Sequence, residues 1–159
     1  LRGYLRDAGY SANQVEAVLC QRPARLDLVP AQCAAVRAFA ELPEAGALAA
    51  ANKRIVNILR KSGGEAAVAV DRSRLAAGAE HDLYLAFQKL QPIVDDRCAA
   101  GDFAGALLAL ASAKPAVDRF FDDVLVMADD PGIRANRLAL LRGVAQTMNR
   151  AADISKLAT

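Results

Sequence analysis

Leu48-Ala49-Ala50-Ala51-Asn52-Lys53-Arg54-Ile55-Val56-Asn57-Ile58-Leu59-Arg60-Lys61, followed by Ser62-Gly63-Gly64, sets the fold class. Its apolar residues Leu48, Ala51, Ile55, Ile58 and Leu59 recur at steps of three and four, the period of a helix with one buried face. The pattern restarts after Leu42-Pro43, at Glu44, and the Gly63-Gly64 pair is a natural helix stop. Lys53, Arg54, Asn57, Arg60 and Lys61 fall opposite the apolar stripe, within roughly 120° of one another on a wheel of 100° per residue. Four cations and an amide thus share a face without one acid. The dipole at the carboxyl end of a helix accounts for Arg60 and Lys61, but Lys53 and Arg54 lie too far upstream. An outward cationic face anchored by an apolar back suits a phosphate backbone, and a merely solvated face suits the charges as well. Asn52 falls among the apolar positions, where a buried amide needs partners, so a structural hydrogen bond is expected of it.

The flanking sequence extends the helical reading. Upstream, Ser11 and Gln14 have capping-box spacing ahead of Val15, Val18 and Leu19, and Pro23 ends that run. Pro30 can open a helix that carries Val36, Phe39 and Ala40. Downstream, Gly63 to Gly78 has weak periodicity and reads as a surface connection free to vary in length. Leu83, Phe87, Leu90 and Val94 then form a stripe that Pro92 need not interrupt, closing near Gly101. Asp102 caps a helix over Phe103–Ser112, Lys114-Pro115 opens one through Met127, and Asp129-Asp130-Pro131 caps a last one to about Ala152. No stretch alternates with period two long enough to demand a strand. The expected fold is all-α, an antiparallel helical bundle whose neighbours are joined by short connections.

Composition agrees. In 159 residues, hydrophobic side chains make up 54% and charged ones 24%, which is too apolar for a disordered chain and enough for one core. Aromatics are only 5% with no Trp, and Ala, the best helix former, is the commonest residue. The net charge of +2 decides nothing about partners; only its distribution does. Cys20, Cys33 and Cys98 are widely spaced and no C-x-x-C occurs, so neither a disulfide framework nor a metal site is expected, and a reducing cytoplasmic setting fits. No apolar run is long enough for a membrane span, and the opening Leu1-Arg2-Gly3-Tyr4-Leu5-Arg6 has no signal core; the chain reads as excised from something larger.

In the last helix Arg137 lies inside an apolar stripe of Ile133, Leu140, Leu141, Val144, Met148 and Ala151. A buried arginine must be paired, and Asp122 and Asp123 on the preceding helix are the expected partners. Arg142, Gln146, Asn149 and Arg150 lie on a polar face without carboxylates, where Arg and Asn can contact phosphates and base edges. Catalysis finds little support. His81 stands alone in Glu80-His81-Asp82, and nucleophile-elbow, P-loop, zinc-protease and dinucleotide-binding motifs are missing.

Three stretches are more specific than periodicity requires: Leu48 to Leu59 as quoted above, Val117-Asp118-Arg119-Phe120-Phe121-Asp122-Asp123-Val124-Leu125-Val126-Met127-Ala128, and Arg134-Ala135-Asn136-Arg137-Leu138-Ala139-Leu140-Leu141. They resemble the carboxy-terminal region of the β subunit of bacterial tetrameric glycyl-tRNA synthetases. The ending Ala152-Asp153-Ile154-Ser155 and the opening Leu1 to Leu5 extend the resemblance over essentially the whole chain. It implies a DALR-like helical anticodon-binding domain, similar to the one closing class I arginyl-type synthetases. Residues 29–159 would form that domain, and residues 1–28 the end of the preceding region with a lead-in helix.

The implied function is binding of the anticodon region of tRNA(Gly) in support of glycyl-tRNA synthesis, with the catalyst on a separate α subunit. No cofactor is implied for the domain; the implied partners are tRNA, the α subunit and the rest of the β subunit. Lys53, Arg54, Asn57, Arg60 and Lys61, with Arg142, Asn149 and Arg150, are the candidate tRNA contacts. Glycine codons begin GG, so the anticodon carries two cytosines that such a domain would sense. The alternative is a structural module whose basic helix docks on other synthetase domains or on the α subunit.

Overall fold

The computed structural model describes residues 1–158. Eight α-helices follow one another: α1 (Arg2–Asp7), α2 (Ala12–Leu19), α3 (Val29–Ala40), α4 (Ala45–Lys61), α5 (Ala79–Ala99), α6 (Phe103–Ala111), α7 (Lys114–Asp123) and α8 (Pro131–Met148). Short 3-10 turns at Leu26–Leu28, Arg72–Arg74 and Ile154–Leu157 complete the chain, and no strand occurs among the described residues. The all-α bundle is as expected.

The start signals act as read. The Ser11 hydroxyl accepts from the Gln14 N–H while the Gln14 side chain accepts from the Ser11 N–H, closing the capping box of α2. Asp102 accepts from the Gly105 N–H to open α6, and Asp130 accepts from Gly132 and Ile133 to open α8. Pro92 sits inside α5 without ending it.

Three expectations about where helices begin and end need correction. Helix α7 stops at Asp123, not Met127, because Val124 is extended and the next carbonyls are claimed from α8: Leu125 O accepts from Arg137 and Ala128 O from Arg134. Helix α8 stops at Met148 instead of near Ala152; Asp153 then caps the last 3-10 turn, and its N–H donates to Ala17 O at 2.7 Å. A first helix, α1, precedes the capping box, and its Leu5 is fully buried.

The core is continuous. α5 packs on α6, α7 and α8; α4 packs on α7, α8 and the C-terminal turn; α3 packs on α6 and α2. Leu5, Val15 and Val18 from the first helices belong to the same cluster as Phe39, Leu83, Phe120 and Ile154. Packing therefore crosses position 28 without a break.

The connection between α4 and α5 is strapped to α8, contrary to the expectation that its length is free. Ala67 N–H donates to Ala135 O at 3.0 Å. The buried Asn136 amide both accepts from Asp71 N–H at 2.7 Å and donates to Asp71 O at 3.0 Å. Arg134 pairs with Glu65 at 3.0 Å, and Arg142 donates to the carbonyls of Ala67 and Val68, each at 2.7 Å. Adding or removing a residue would put these donors and acceptors out of register.

Candidate nucleic-acid interface

Helix α4 is held by its apolar back, where Leu48, Ala49 and Ile55 are essentially inaccessible. Asn52 is 0% exposed and forms a reciprocal amide pair with Asn149: its Nδ2 donates to Asn149 Oδ1 at 2.6 Å, and Asn149 Nδ2 returns a bond at 3.1 Å. This satisfies both polar ends of a buried amide and fixes α4 against the end of α8. The structural role expected of Asn52 is the one observed.

With its back fixed, α4 presents Lys53, Arg54, Arg60 and Lys61 to solvent, with Asn57 half-buried among them. Among the described residues, none of these four cations is within ion-pair distance of a carboxylate; all the ion pairs involve other residues. Arg60 Nη2 donates to Asn57 Oδ1 at 3.2 Å one turn away. The Arg54 guanidinium lies over the Phe121 ring, 4.4 Å from its centroid, a cation–π contact that orients it without neutralising it. Arg54 and Phe121 line a groove of about 330 Å³ between α4 and α7 that Asp118 and Asp122 also border. Carboxylates from the neighbouring helix therefore edge the face, which no single-helix wheel can show. Asp118 is itself engaged by Lys114 at 2.5 Å.

The three candidates near the end of α8 are not gathered with the α4 face. Asn149 is committed to Asn52, Arg142 reaches into the strapped connection, and Arg150 pairs with Asp95 at 3.4 Å. On a wheel they share a polar face; in three dimensions that face is partly covered by the 62–78 segment and by α5.

Arg137 is paired, but not with Asp122 or Asp123. Its Nε and Nη2 both lie 3.3 Å from Glu80 Oε2, and its Nη1 donates to Leu125 O at 2.5 Å. Asp122 and Asp123 are exposed at the end of α7, whereas Glu80, in the first turn of α5, is 1% exposed. A mostly buried guanidinium takes the buried carboxylate, because the desolvation of each is offset only by the other. Glu80 and Asn136 are the polar residues missed from sequence. The signal for Asn136 was its position inside the Arg134 to Leu141 motif; Glu80 looked like an ordinary first-turn acid.

Among the described residues, no helix is long and apolar enough to cross a membrane. Fold and surface together define an all-helical domain bearing one exposed cationic helix that is clamped from behind by an amide pair. Residues 48–158, which contain both that helix and the clamp, match the family described as "DALR anticodon binding domain". The chain belongs to this family. It is also 54% identical over 158 residues to a protein of Thiobacillus denitrificans and 57% identical over 158 residues to one of Ralstonia nicotianae, both named "Glycine--tRNA ligase beta subunit". Each match covers 99% of this chain and 22% of the relative, so the chain spans about a fifth of the length of those proteins.

Proposed function

We propose that the chain binds the anticodon region of tRNA(Gly) as the helical anticodon-binding domain of a glycine–tRNA ligase β subunit. The observation that carries this reading is the α4 face: four exposed cations with no carboxylate partner, on a helix held rigid by Asn52 and Asn149, inside the segment that matches the family. Unpaired Lys and Arg on a fixed support attract phosphates over a distance and neutralise them on contact. The partners are then tRNA(Gly), the remaining β-subunit domains and the α subunit, where the aminoacylation chemistry belongs; the domain needs no cofactor and works in the cytoplasm.

The test is a titration of tRNA(Gly) against the chain at several salt concentrations. Replacing Lys53, Arg54, Arg60 and Lys61 together by Gln should weaken binding and lower the slope of log affinity against log salt by about 0.7 for each lost single-strand contact. An unchanged slope in a folded variant moves the interface elsewhere. A second reading, docking of this surface on another protein domain, has one observation in its favour: Leu125 and Met127 expose apolar side chains beside α7. It requires the salt-dependent tRNA affinity to be absent.

A further inference from the structure

Helix α2 ends in a conformation that its sequence does not favour. Arg22, just past the helix, has φ at +52°, in the left-handed region that glycine enters freely and a residue with a side chain enters at a cost. Pro23 follows it, and a proline drives the residue before it toward a φ of about −120°. An arginine is therefore held where two local preferences oppose it. Strain of this kind persists only where surrounding contacts fix it, and it concentrates at functional sites.

The contacts that fix it lead to α4. Gln21 Nε2 donates to Asn149 O at 2.7 Å, and the Asn149 side chain is the one paired with Asn52 behind the cationic face. One chain of amides thus ties the end of α2, the end of α8 and the middle of α4 to a common junction. Arg22 adjoins that junction next to Gln21, as Lys53 does next to Asn52. The C-terminal 3-10 turn packs on both α2 and α4 and carries the exposed Lys156, which lies within electrostatic reach of the Cys20 thiol. Among the described residues, neither Arg22 nor Lys156 is within ion-pair distance of a carboxylate. The acids of this region are otherwise engaged: Glu16 by Arg2 at 2.7 Å, Asp27 by Arg25 at 2.6 Å, and Asp153 by the Ser155 N–H and hydroxyl at 3.1 and 2.6 Å.

We propose that Arg22 and Lys156 form a second phosphate-contact patch, which carries an RNA backbone from the α4 face across the C-terminal turn to the end of α2. The ligand is the phosphodiester chain, so the patch places the strand and is blind to its sequence. This gives the strain at Arg22 a reason. A glycine would make the same turn without strain, but it would present no charge. The inference rests on the anticodon-binding reading and extends its surface beyond the matched segment 48–158, because Arg22 lies upstream of it.

The experiment titrates tRNA(Gly) against point variants of the intact chain at several salt concentrations, with thermal melting of each variant alongside. Arg22→Gly relaxes the backbone, so its melting midpoint should equal or exceed that of the parent. Its affinity should nonetheless fall severalfold at low salt, and the slope of log affinity against log salt should drop by about 0.7. A merely structural arginine would not lose affinity while stability is kept or raised. Lys156→Gln should lower the slope by a similar amount, and the double variant by roughly 1.4. Arg22→Lys keeps the charge and should keep the slope. Arg25→Gln changes a nearby arginine already neutralised by Asp27 and should leave affinity and slope at the parent values. An Arg22→Gly chain that binds with the parent slope overturns the patch and leaves the α4 interface standing. An Arg22→Lys chain that loses as much slope as Arg22→Gly does the same, since the effect is then one of shape and not of charge. Absence of salt-dependent RNA binding by the unmodified chain overturns the anticodon reading and the patch together.

Discussion

Arg137 and Glu80 illustrate how a single ion pair can be legible from one side only. An arginine inside an apolar stripe announces that it must be paired, so its structural role follows from periodicity. The partner does not, because Glu80 lies 57 residues away in a first turn where acids are usually free and solvated. Arg137→Met leaves Glu80 1% exposed and uncompensated. That should cost about 3 to 5 kcal/mol and lower the melting midpoint sharply, whatever the variant does to RNA affinity. Asp122→Asn and Asp123→Asn, on exposed carboxylates, should leave the folding stability within about 0.5 kcal/mol of the parent and the midpoint nearly unmoved. Differential scanning calorimetry of the three variants separates the two assignments. Asn52 was legible for the opposite reason: a lone amide in an apolar row can be satisfied only by a polar partner brought to it, and Asn149 is that partner.

Among the elements, the helix starts capped by a side chain were readable, whereas the uncapped α1 and several helix ends were not. A cap is a local event between a side chain and N–H groups two or three residues away, so Ser11, Asp102 and Asp130 could be placed from sequence. The ends of α7 and α8, and the strapping of residues 62–78, depend on donors supplied from far along the chain. Arg142→Met removes the bonds to Ala67 and Val68. Amide hydrogen exchange should then speed up in the 62–78 segment and stay nearly constant in α4 and α5, since the core beneath is unchanged. The caps also set a pH dependence. The Ile133 and Gly132 N–H groups hold the Asp130 carboxyl below its ordinary value. A depressed folded-state value means stability that is present above about pH 4 and lost as pH falls through that lower value. Asp130→Asn keeps an acceptor oxygen but no ionisation, so thermal midpoints recorded between about pH 5 and pH 2 should fall less steeply than in the parent.

On the scale of the whole molecule, the continuous core makes the first two helices part of the fold. Leu5, Val15 and Val18 are each at most 2% exposed, and burying three such side chains is worth about 5 to 9 kcal/mol. That is comparable with the roughly 5 to 15 kcal/mol that separates a typical domain from its unfolded chain. A chain starting at residue 29 should therefore lose its cooperative melting transition, which circular dichroism at 222 nm would show; a sharp transition near that of the parent would make residues 1–28 a dispensable lead-in. The segment strapped along α8 bears on speed as well as on stability. A loop that must first be caught and folded slows association and draws down the free energy of contact, whereas residues 62–78 give up their freedom once, when the chain folds. If the proposed anticodon reading holds, an RNA approaching the domain would meet a mould already set, and its rate of capture would be governed by charge and orientation rather than by the folding of a loop.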